Sequence, residues 1–424
     1  MVAILVAFGL SGAPTLSQQP VAADAAVHST IGSAGFKAAA DALDRDFDRH
    51  VAETIRLTEI PSPPFGEAER GKAYLQLLKE HGLTDVETDA VGNVMGLRRG
   101  TGGGPLIAIA AHLDTVFPVG TNVKVRREGT KLHAPDVGDD SRSLAVLLAI
   151  IRAMDAAKIQ TKADILFVGD VGEEGSGDLR GMKQLFNTGR YKGRITAFIS
   201  ADGTNPGSRI VTGAVGSKRY RVTFTGPGGH SYTDFGIVSP AFAMANAMTK
   251  FGALKVPTSP KTTFSVGVVG GGTSVNSIPF ETWMDIDMRS ESRVELDSID
   301  AAFKALVAEA VVEENAARST TKGRITVDVK LTGDRPSGQT AASQSIVQIA
   351  AASVRAFGLT PAFSFNSTDS NIPISLGIPA ITLDAGGASD RNHALDEWID
   401  VEKTSSLRGM QIMLATLLTL AGMQ

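Results

Sequence analysis

Acidic and histidine side chains recur at the ends of apolar runs in this chain, and their types suit a site that binds two metal ions. These residues are His112, Asp114, Asp139, Glu173, Glu174, Asp202 and His393. A carboxylate beside an apolar segment is costly unless a cation neutralises it. The chain has no cysteine, and histidine and carboxylate ligands suit catalytic zinc, with manganese or cobalt as substitutes. The pattern predicts metal-assisted hydrolysis.

The adjacent residues Glu173 and Glu174 offer two different roles within one site. Neighbouring side chains on an extended segment point in opposite directions, so one carboxylate can bind a metal while the other faces a bound water. A carboxylate in the second position suits a general base. The ions of two-metal sites lie ~3.5–4 Å apart, and a bridging carboxylate between them is available at Asp139 or Asp140.

The predicted ligands follow segments that resemble buried strands. Apolar runs predict strands at 106–111, 165–168, 197–200 and 378–383, and a helix at 144–154. Alternating strands and helices are typical of an α/β domain with a mostly parallel sheet. In such sheets, ligands bind outside the carboxyl ends of the strands. We therefore expect the predicted ligands to converge at one edge of the sheet.

The middle of the chain follows a different order of elements. The apolar patterns predict strand 218–224, helix 239–254, strands 262–269 and 281–288, helix 293–317 and strand 324–331. This β-α-β-β-α-β order is the split βαβ, or ferredoxin-like, arrangement. It predicts an inserted domain at 215–333, with hinges at Gly213 and Gly333. The catalytic domain would then consist of two parts, 35–214 and 334–424.

Composition limits the class of protein. The chain has 424 residues, a net charge of −4 and 43% hydrophobic residues. Its length predicts two or three domains. Because the charge is not basic, nucleic acid is not an expected partner.

The first residues, 1–34, predict a signal peptide or a disordered leader. An apolar run at 2–10 precedes small residues at 21–23 that resemble a cleavage site, although no basic residue comes before the run. The run is too short for stable membrane insertion. The segment predicts a periplasmic or secreted protein, with a cytoplasmic one as the alternative. Beyond it, helical spacing predicts one helix through 43–57 and another over 67–81.

The chain resembles the di-zinc metallopeptidase family that contains aminoacylase, bacterial tripeptide aminopeptidase (peptidase T) and glutamate carboxypeptidase. The resemblance rests on the order and spacing of short motifs and covers nearly the whole chain after the leader. The motifs are HLDTVFP at 112–118, VGDDS at 137–141, GEEG at 172–175, GPGGHS at 226–231, and His393 followed by Glu397 and Trp398. One departure is Ser141, which stands where lysine is frequent in the family.

The resemblance implies a role for each residue of the site. The implied ligands of two zinc ions are His112 with Asp202, Glu174 with His393, and Asp139 as the bridge. Asp139 is preferred to Asp140 as the bridging residue. Asp114 would orient His112, and Glu173 would be the general base that activates a metal-bound hydroxide.

The resemblance also implies a homodimer in which the inserted domain completes the neighbouring site. His230 of one subunit would stabilise the oxyanion in its partner. Asn276 and Arg289 resemble substrate-binding positions, and Arg289 could bind a carboxylate in a forked geometry. Asp369 and Asn371, in the segment STDSNIP at 367–373, could bind a peptide terminus.

The first functional hypothesis is a metal-dependent exopeptidase, similar to di- and tripeptide aminopeptidases, that cleaves an amide bond of small peptides. The second is an N-acyl amino acid amidohydrolase of the aminoacylase or carboxypeptidase kind. A non-catalytic peptide-binding relative is a third. The presence of the implied general base, Glu173, together with all five implied ligands favours an enzyme.

Overall fold

The computed structural model describes residues 18–424. The apolar run at 2–10, on which the predicted signal peptide depends, lies outside these described residues. The helices are α1 (Gln18–Gly32), α2 (Ala34–Arg45), α3 (Phe47–Thr58), α4 (Ala68–Lys79), α5 (Ser141–Ala156), α6 (Arg180–Asn187), α7 (Pro240–Gly252), α8 (Arg293–Ala317), α9 (Ser345–Ala356), α10 (Asn371–Ser375) and α11 (Lys403–Ala421). The strands are β1 (Thr84–Thr88), β2 (Val94–Arg98), β3 (Leu106–His112), β4 (Arg126–Glu128), β5 (Lys131–His133), β6 (Asp164–Asp170), β7 (Ile195–Ala201), β8 (Arg209–Ala214), β9 (Gly216–Thr225), β10 (Gly229–His230), β11 (Thr262–Gly271), β12 (Ser277–Ile278), β13 (Glu281–Ser290), β14 (Thr326–Arg335), β15 (Gly338–Gln339), β16 (Ala362–Asn366), β17 (Ala380–Leu383), β18 (Ala388–Asp390) and β19 (Trp398–Asp400).

The catalytic domain is built on a nine-stranded sheet in the order β1-β2-β6-β3-β7-β17-β8-β15, with β16 paired to β8. The middle of this sheet is parallel, because β3 runs parallel to both β6 and β7, and β17 runs parallel to β7. Antiparallel strands join on either side of this centre. The predicted α/β fold with a mostly parallel sheet is therefore confirmed.

Strand β3 shows how the sequence produces the layers around this sheet. All of its residues are buried. Ile107 and Ile109 pack with helices α2, α3, α5 and α11 on one face, whereas Leu106 and Ala108 pack with α6 and α10 on the other. Successive side chains of a strand point to opposite faces, so an apolar strand must be covered on both. Polar side chains are left for the ends of the strands.

The inserted domain comprises residues 216–335 and has its own antiparallel sheet, in the order β11-β13-β9-β14. Helices α7 and α8 cover one face of this sheet, and Phe251 and Phe303 meet in the core between them. The predicted β-α-β-β-α-β order is confirmed for the long elements. A two-stranded ribbon of β10 and β12 projects from the domain.

The chain passes between the two domains a few residues after each of the two glycines that were predicted as hinges. Gly213 is inside β8, where a Cβ atom would lie 2.1 Å from the Phe365 ring, so close packing explains this glycine. Gly333 is inside β14 and pairs with Arg219 of β9. The chain therefore crosses between the domains at residue 215 and at residues 336–337.

The N-terminal helices differ from the prediction in two ways. The helix predicted through 43–57 is two helices, α2 and α3, separated at Asp46. Helix α1 occupies much of the segment predicted as a leader, and Ala23 and Val27 are buried in a cluster with Ala352 of α9. The packed chain thus begins before residue 34. Among residues 18–424, no helix combines the length and the apolar character that crossing a membrane requires.

Candidate metal centre

The predicted ligands come together at the carboxyl edge of the parallel strands. His112 ends β3, Glu174 follows β6, and Asp202 follows β7 directly. These three strands are neighbours in the sheet, so their carboxyl ends meet at one edge. Asp139 arrives from the turn before α5, and His393 arrives from the turn between β18 and β19.

The carboxylate of Asp139 lies between the two histidines. Its Oδ1 is 3.0 Å from Nε2 of His112, and its Oδ2 is 3.2 Å from Nε2 of His393. Glu174 places Oε1 2.8 Å from the same nitrogen of His393. Ligand atoms of His112, Asp139 and Glu174 all lie within 4.8 Å of one another. Each oxygen of Asp139 therefore faces a different histidine.

The side chain of Asp114 organises the neighbouring segment. Its two carboxylate oxygens accept hydrogen bonds from the backbone N–H groups of Glu173 (3.0 Å) and Glu174 (2.8 Å). The backbone carbonyl of Asp114 lies 2.9 Å from Nδ1 of His112, whereas its carboxylate is 3.7 Å away. Asp114 thus contacts His112 mainly through its backbone, and its carboxylate fixes the Glu173–Glu174 turn.

Buried carboxylates hold the Asp139 turn in place. Asp140 accepts a hydrogen bond from the backbone N–H of His112 (3.1 Å) and is fully buried. Glu397 accepts from the backbone N–H groups of Gly138 (2.8 Å) and Asp139 (3.2 Å). Of the two adjacent aspartates, Asp139 is therefore the one that faces both histidines, and Asp140 supports the backbone.

The electrostatics of the cluster fit a cation-binding site. Burial raises the pKa of Asp202 to about 8, and repulsion from Asp139 adds to this shift. Hydrogen bonds to Asp139 and Glu174 raise the pKa of His393 to about 11. Burial lowers the pKa of His112, but its hydrogen bond to Asp139 and the surrounding carboxylates raise it well above its ordinary value. Imidazole and carboxylate donors crowded in this way suit divalent metals, which displace such protons when they bind.

The ligand cluster opens into a cavity of about 310 Å³, which Asp202 also lines. Three guanidinium groups, from Arg219, Arg289 and Arg335, line the same cavity. Arg335 is nearly buried, and its Nη1 donates to Oε1 of Glu173 at 3.1 Å. Carboxylates, His393 and three guanidinium groups therefore line one cavity.

The sequence interpretation missed Arg219 and Arg335. Both belong to strands of the inserted domain, and no local spacing links them to the GEEG motif.

His230 and Asn276 lie away from the ligand cluster of the same chain. Both are exposed: His230 ends β10, and Asn276 directly precedes β12 and accepts through its carbonyl from the Ser231 N–H at 3.0 Å. Two aromatic side chains beside His230, Tyr232 and Phe235, are also exposed. Within one subunit, the structure does not bring this ribbon to the metal centre.

Asp369 and Asn371 are buried rather than exposed to the cavity. Asn371 donates through Nδ2 to the backbone carbonyls of Val215 and Pro336, both at 2.9 Å, so its amide joins the two domain crossings. Asp369 lies beside Asp170, and burial followed by repulsion from Asp170 raises the pKa of Asp369. Their predicted role in substrate binding stays a prediction.

Comparison with known proteins agrees with this arrangement. The model of peptidase family M20/M25/M40 matches residues 108–419. Aminopeptidase PepT from Bacillus cereus ATCC 10987 superposes with a TM-score of 0.70 at 22% identity, over 88% of this chain and 98% of that one. The YXEP protein of Bacillus subtilis, a dinuclear metal-binding peptidase of the M20 family, superposes with a TM-score of 0.63 at 16% identity, over 88% of this chain and 98% of that one.

A curated relative matches only in part. A putative [LysW]-lysine/[LysW]-ornithine hydrolase from Pyrococcus abyssi (strain GE5 / Orsay) is 37% identical over 128 residues, which are 30% of this chain and 34% of that protein. The match of the family model is much longer and includes His112, Asp139, Glu174 and His393. The chain therefore belongs to peptidase family M20/M25/M40 and is a metal-dependent peptidase or amidohydrolase.

Proposed function

We propose that this protein is a two-metal exopeptidase that hydrolyses an amide bond of small peptides. The observation that carries the proposal is the position of Asp139, whose two oxygens face His112 and His393 at 3.0 and 3.2 Å. A carboxylate placed in this way suits the bridge between two ions.

The proposed ligands are His112 and Asp202 for one zinc ion, Glu174 and His393 for the other, and Asp139 for both. Zinc ions in such a site would polarise the scissile carbonyl and activate a water molecule. Manganese or cobalt could replace zinc, since both bind nitrogen and oxygen donors. The donor set contains no sulfur, which is consistent with all three metals.

Glu173 is the proposed general base. It lies next to a ligand, lines the same cavity, and has only about 5% of its surface exposed. In this role its carboxylate takes a proton from the attacking water and delivers it to the leaving amine. Asp114 supports this geometry because it binds the backbone N–H groups of both Glu173 and Glu174.

The size of the cavity and the position of Arg289 support a small substrate that carries a carboxylate. Pockets for small ligands enclose roughly 300–1,000 Å³, and this cavity of about 310 Å³ is at the lower end. Arg289 lines it and donates through Nε to Asp287 at 2.6 Å, which fixes the orientation of its guanidinium. A forked guanidinium is suited to a carboxylate at the end of a peptide.

A homodimer would complete the oxyanion site. His230 is exposed on the projecting ribbon together with apolar and aromatic side chains, including Tyr232, Phe235 and Val275. An exposed group of this kind is typical of a surface that meets a partner. We propose that His230 of the partner subunit reaches the cavity and stabilises the oxyanion.

The second candidate is an N-acyl amino acid amidohydrolase. It is favoured by the match to a succinyl-diaminopimelate desuccinylase from Leptothrix cholodnii (strain ATCC 51168 / LMG 8142 / SP-6), which is 26% identical over 246 residues, or 54% of this chain and 62% of that protein, and whose name describes removal of an acyl group. The same cavity would then hold an acylated amino acid, with its carboxylate near Arg289.

One assay separates the candidates. Zinc-loaded protein is incubated with free tripeptides, C-terminally blocked tripeptides and N-acetyl amino acids, each with and without a chelator. Chelator-sensitive cleavage of the free tripeptides but not of the N-acetyl amino acids supports the exopeptidase. Loss of cleavage when the C-terminus is blocked supports carboxylate binding at Arg289. Cleavage of the acetylated compounds alone supports the amidohydrolase. Cleavage that continues when the metals have been removed contradicts both.

A further inference from the structure

The inserted domain contacts the segment that carries the proposed general base at several points. Arg335 donates from Nη1 to Oε1 of Glu173 at 3.1 Å, and its Nη2 contacts the Glu173 backbone carbonyl. Arg219 donates from Nη1 to the backbone carbonyl of Gly175 at 2.6 Å. The backbone N–H of Asp334 donates to Oδ1 of Asp178 at 2.9 Å. Residues 173–178 of the catalytic domain are thus attached to the inserted domain.

These contacts come from one rigid part of the inserted domain. Arg219 lies in β9, and Asp334 and Arg335 are the last residues of β14. These two strands have ten residues each and pair with one another. Neighbouring strands joined by a hydrogen-bonded ladder move together. A rotation of the inserted domain therefore moves Arg219 and Arg335 as one unit.

The residues at which the chain crosses between the domains lie close to Arg335. Asn371 binds the carbonyls of Val215 and Pro336 with one amide nitrogen, at 2.9 Å each. Pro336 is the residue immediately after Arg335. Arg335 therefore directly precedes one of the two domain crossings, and its guanidinium also binds Glu173.

The pair between Arg335 and Glu173 is shielded from solvent. The two side chains are only 4% and 7% exposed. Arg335 also donates to Ser367 at 3.0 Å, which fixes the plane of its guanidinium. A buried, multiply bonded guanidinium restricts the rotamer of the carboxylate it binds far more than an exposed ion pair does.

We infer that Arg335 is a positioning residue that sets the orientation of the Glu173 carboxylate according to the position of the inserted domain. This inference rests on the proposed function, because it requires Glu173 to be the general base. Arg219 assists by holding the backbone at Gly175. Closure of the inserted domain on a substrate would then align the base at the same time.

A double-mutant cycle tests the inference on the zinc-loaded, full-length protein. The variants are Arg335→Met, Glu173→Gln and the double variant, assayed with the most rapidly cleaved compound of the panel above. We expect Arg335→Met to lower kcat on the order of 10–10²-fold, as misplacement of a catalytic group does, with KM within about twofold. In the Glu173→Gln background the same change should cause no further loss.

Two outcomes overturn the inference alone. Equal losses from Arg335→Met in both backgrounds would show that Arg335 acts independently of Glu173. An effect confined to KM would identify Arg335 as a substrate contact. Full turnover by Glu173→Gln would instead overturn the proposed function itself, so the two failures are distinguishable.

Companion variants keep the test informative if Arg335→Met folds poorly. Arg335→Lys keeps a positive charge and should recover part of kcat. Arg219→Met should lower kcat in the same way but less, since Arg219 contacts this segment only at the Gly175 carbonyl, although the variant also loses the bond to Asp287. An Arg219→Met effect confined to KM would contradict coupling through residues 173–178.

Arg289→Met provides the contrast, because Arg289 lines the cavity without contacting Glu173 and its loss should raise KM.

Discussion

Nε2 of His393 lies 2.8 Å from Oε1 of Glu174, although the two residues are 219 positions apart in the chain. Glu174 belongs to the part of the catalytic domain before the inserted domain, and His393 to the part after it. Metal ions at this point would join the two parts. Metal binding should therefore stabilise the fold as well as support catalysis.

We expect the metal-free protein to lose stability as the pH rises from about 5 to 8. Burial raises the pKa values of Asp136 and Asp170 to about 7, and those of Asp202 and Glu397 to about 8. These values lie above those of unfolded carboxyl groups, ~4, so the folded state binds more protons. Their stabilising contribution is complete below the unfolded pKa and is lost as the pH rises through the folded pKa.

Thermal unfolding with a chelator at pH 5, 6, 7 and 8 measures this slope. Zinc-loaded protein is the control, and its stability should change less over the same range because cations replace protons around Asp202. A metal-free protein that becomes more stable between pH 6 and pH 8 would contradict the expectation.

Replacement of Glu173 by glutamine should abolish most turnover without removing metal. The amide keeps the size of the side chain but cannot accept the proton, so kcat should fall roughly 10²–10⁴-fold. Metal content, measured by elemental analysis, should match that of the native protein. The matched control is Glu313→Gln, at a half-exposed carboxylate in α8. Native turnover in Glu173→Gln would remove Glu173 from the mechanism.

Replacement of Asp114 by asparagine should weaken metal binding. The substituted amide has a single oxygen, so it could accept only one of the two backbone N–H groups that the Asp114 carboxylate binds. The other N–H would be left as a buried donor without a partner, at a cost of roughly 1–3 kcal/mol. Loss of such a supporting group typically lowers metal affinity 10–100-fold. Chelator competition gives the affinity, and Asp396→Asn, at an exposed carboxylate, is the control. Equal affinities for both variants would show that the Asp114 carboxylate is dispensable.

Complementation between subunits tests the proposed role of His230. Alone, His230→Ala and Glu173→Gln should each be nearly inactive. Mixed in equal amounts and allowed to exchange subunits, they should form hybrid dimers in which one site has both groups. Random exchange would restore roughly a quarter of native activity. No recovery, despite exchange shown by mass spectrometry, would place His230 outside the partner's site.

The sequence was sufficient for features that depend on local patterns. The buried strands were predicted within a few residues, because alternating or continuous apolar runs record burial directly. His112 and Asp202 were located because they lie at the ends of such strands. The elements of the inserted domain were predicted for the same reason.

Features that depend on tertiary contacts were not predicted. Arg335 meets Glu173 across 162 positions, and its own surroundings in the sequence give no sign of this contact. Asn371 was assigned to the substrate from the family resemblance of its segment, whereas its amide binds the backbone at the two domain crossings. The break at Asp46 was missed because apolar residues keep helical spacing on both sides of it.

The order of the proposed ligands along the chain affects how the enzyme is made. His112, Asp139, Glu174 and Asp202 all precede the inserted domain, and His393 follows it near the C-terminal end. Because the N-terminus of a chain leaves the ribosome first, a nascent polypeptide lacks the last proposed ligand until the whole inserted domain has been synthesised. The complete set of proposed ligands is therefore available only late in synthesis of the chain.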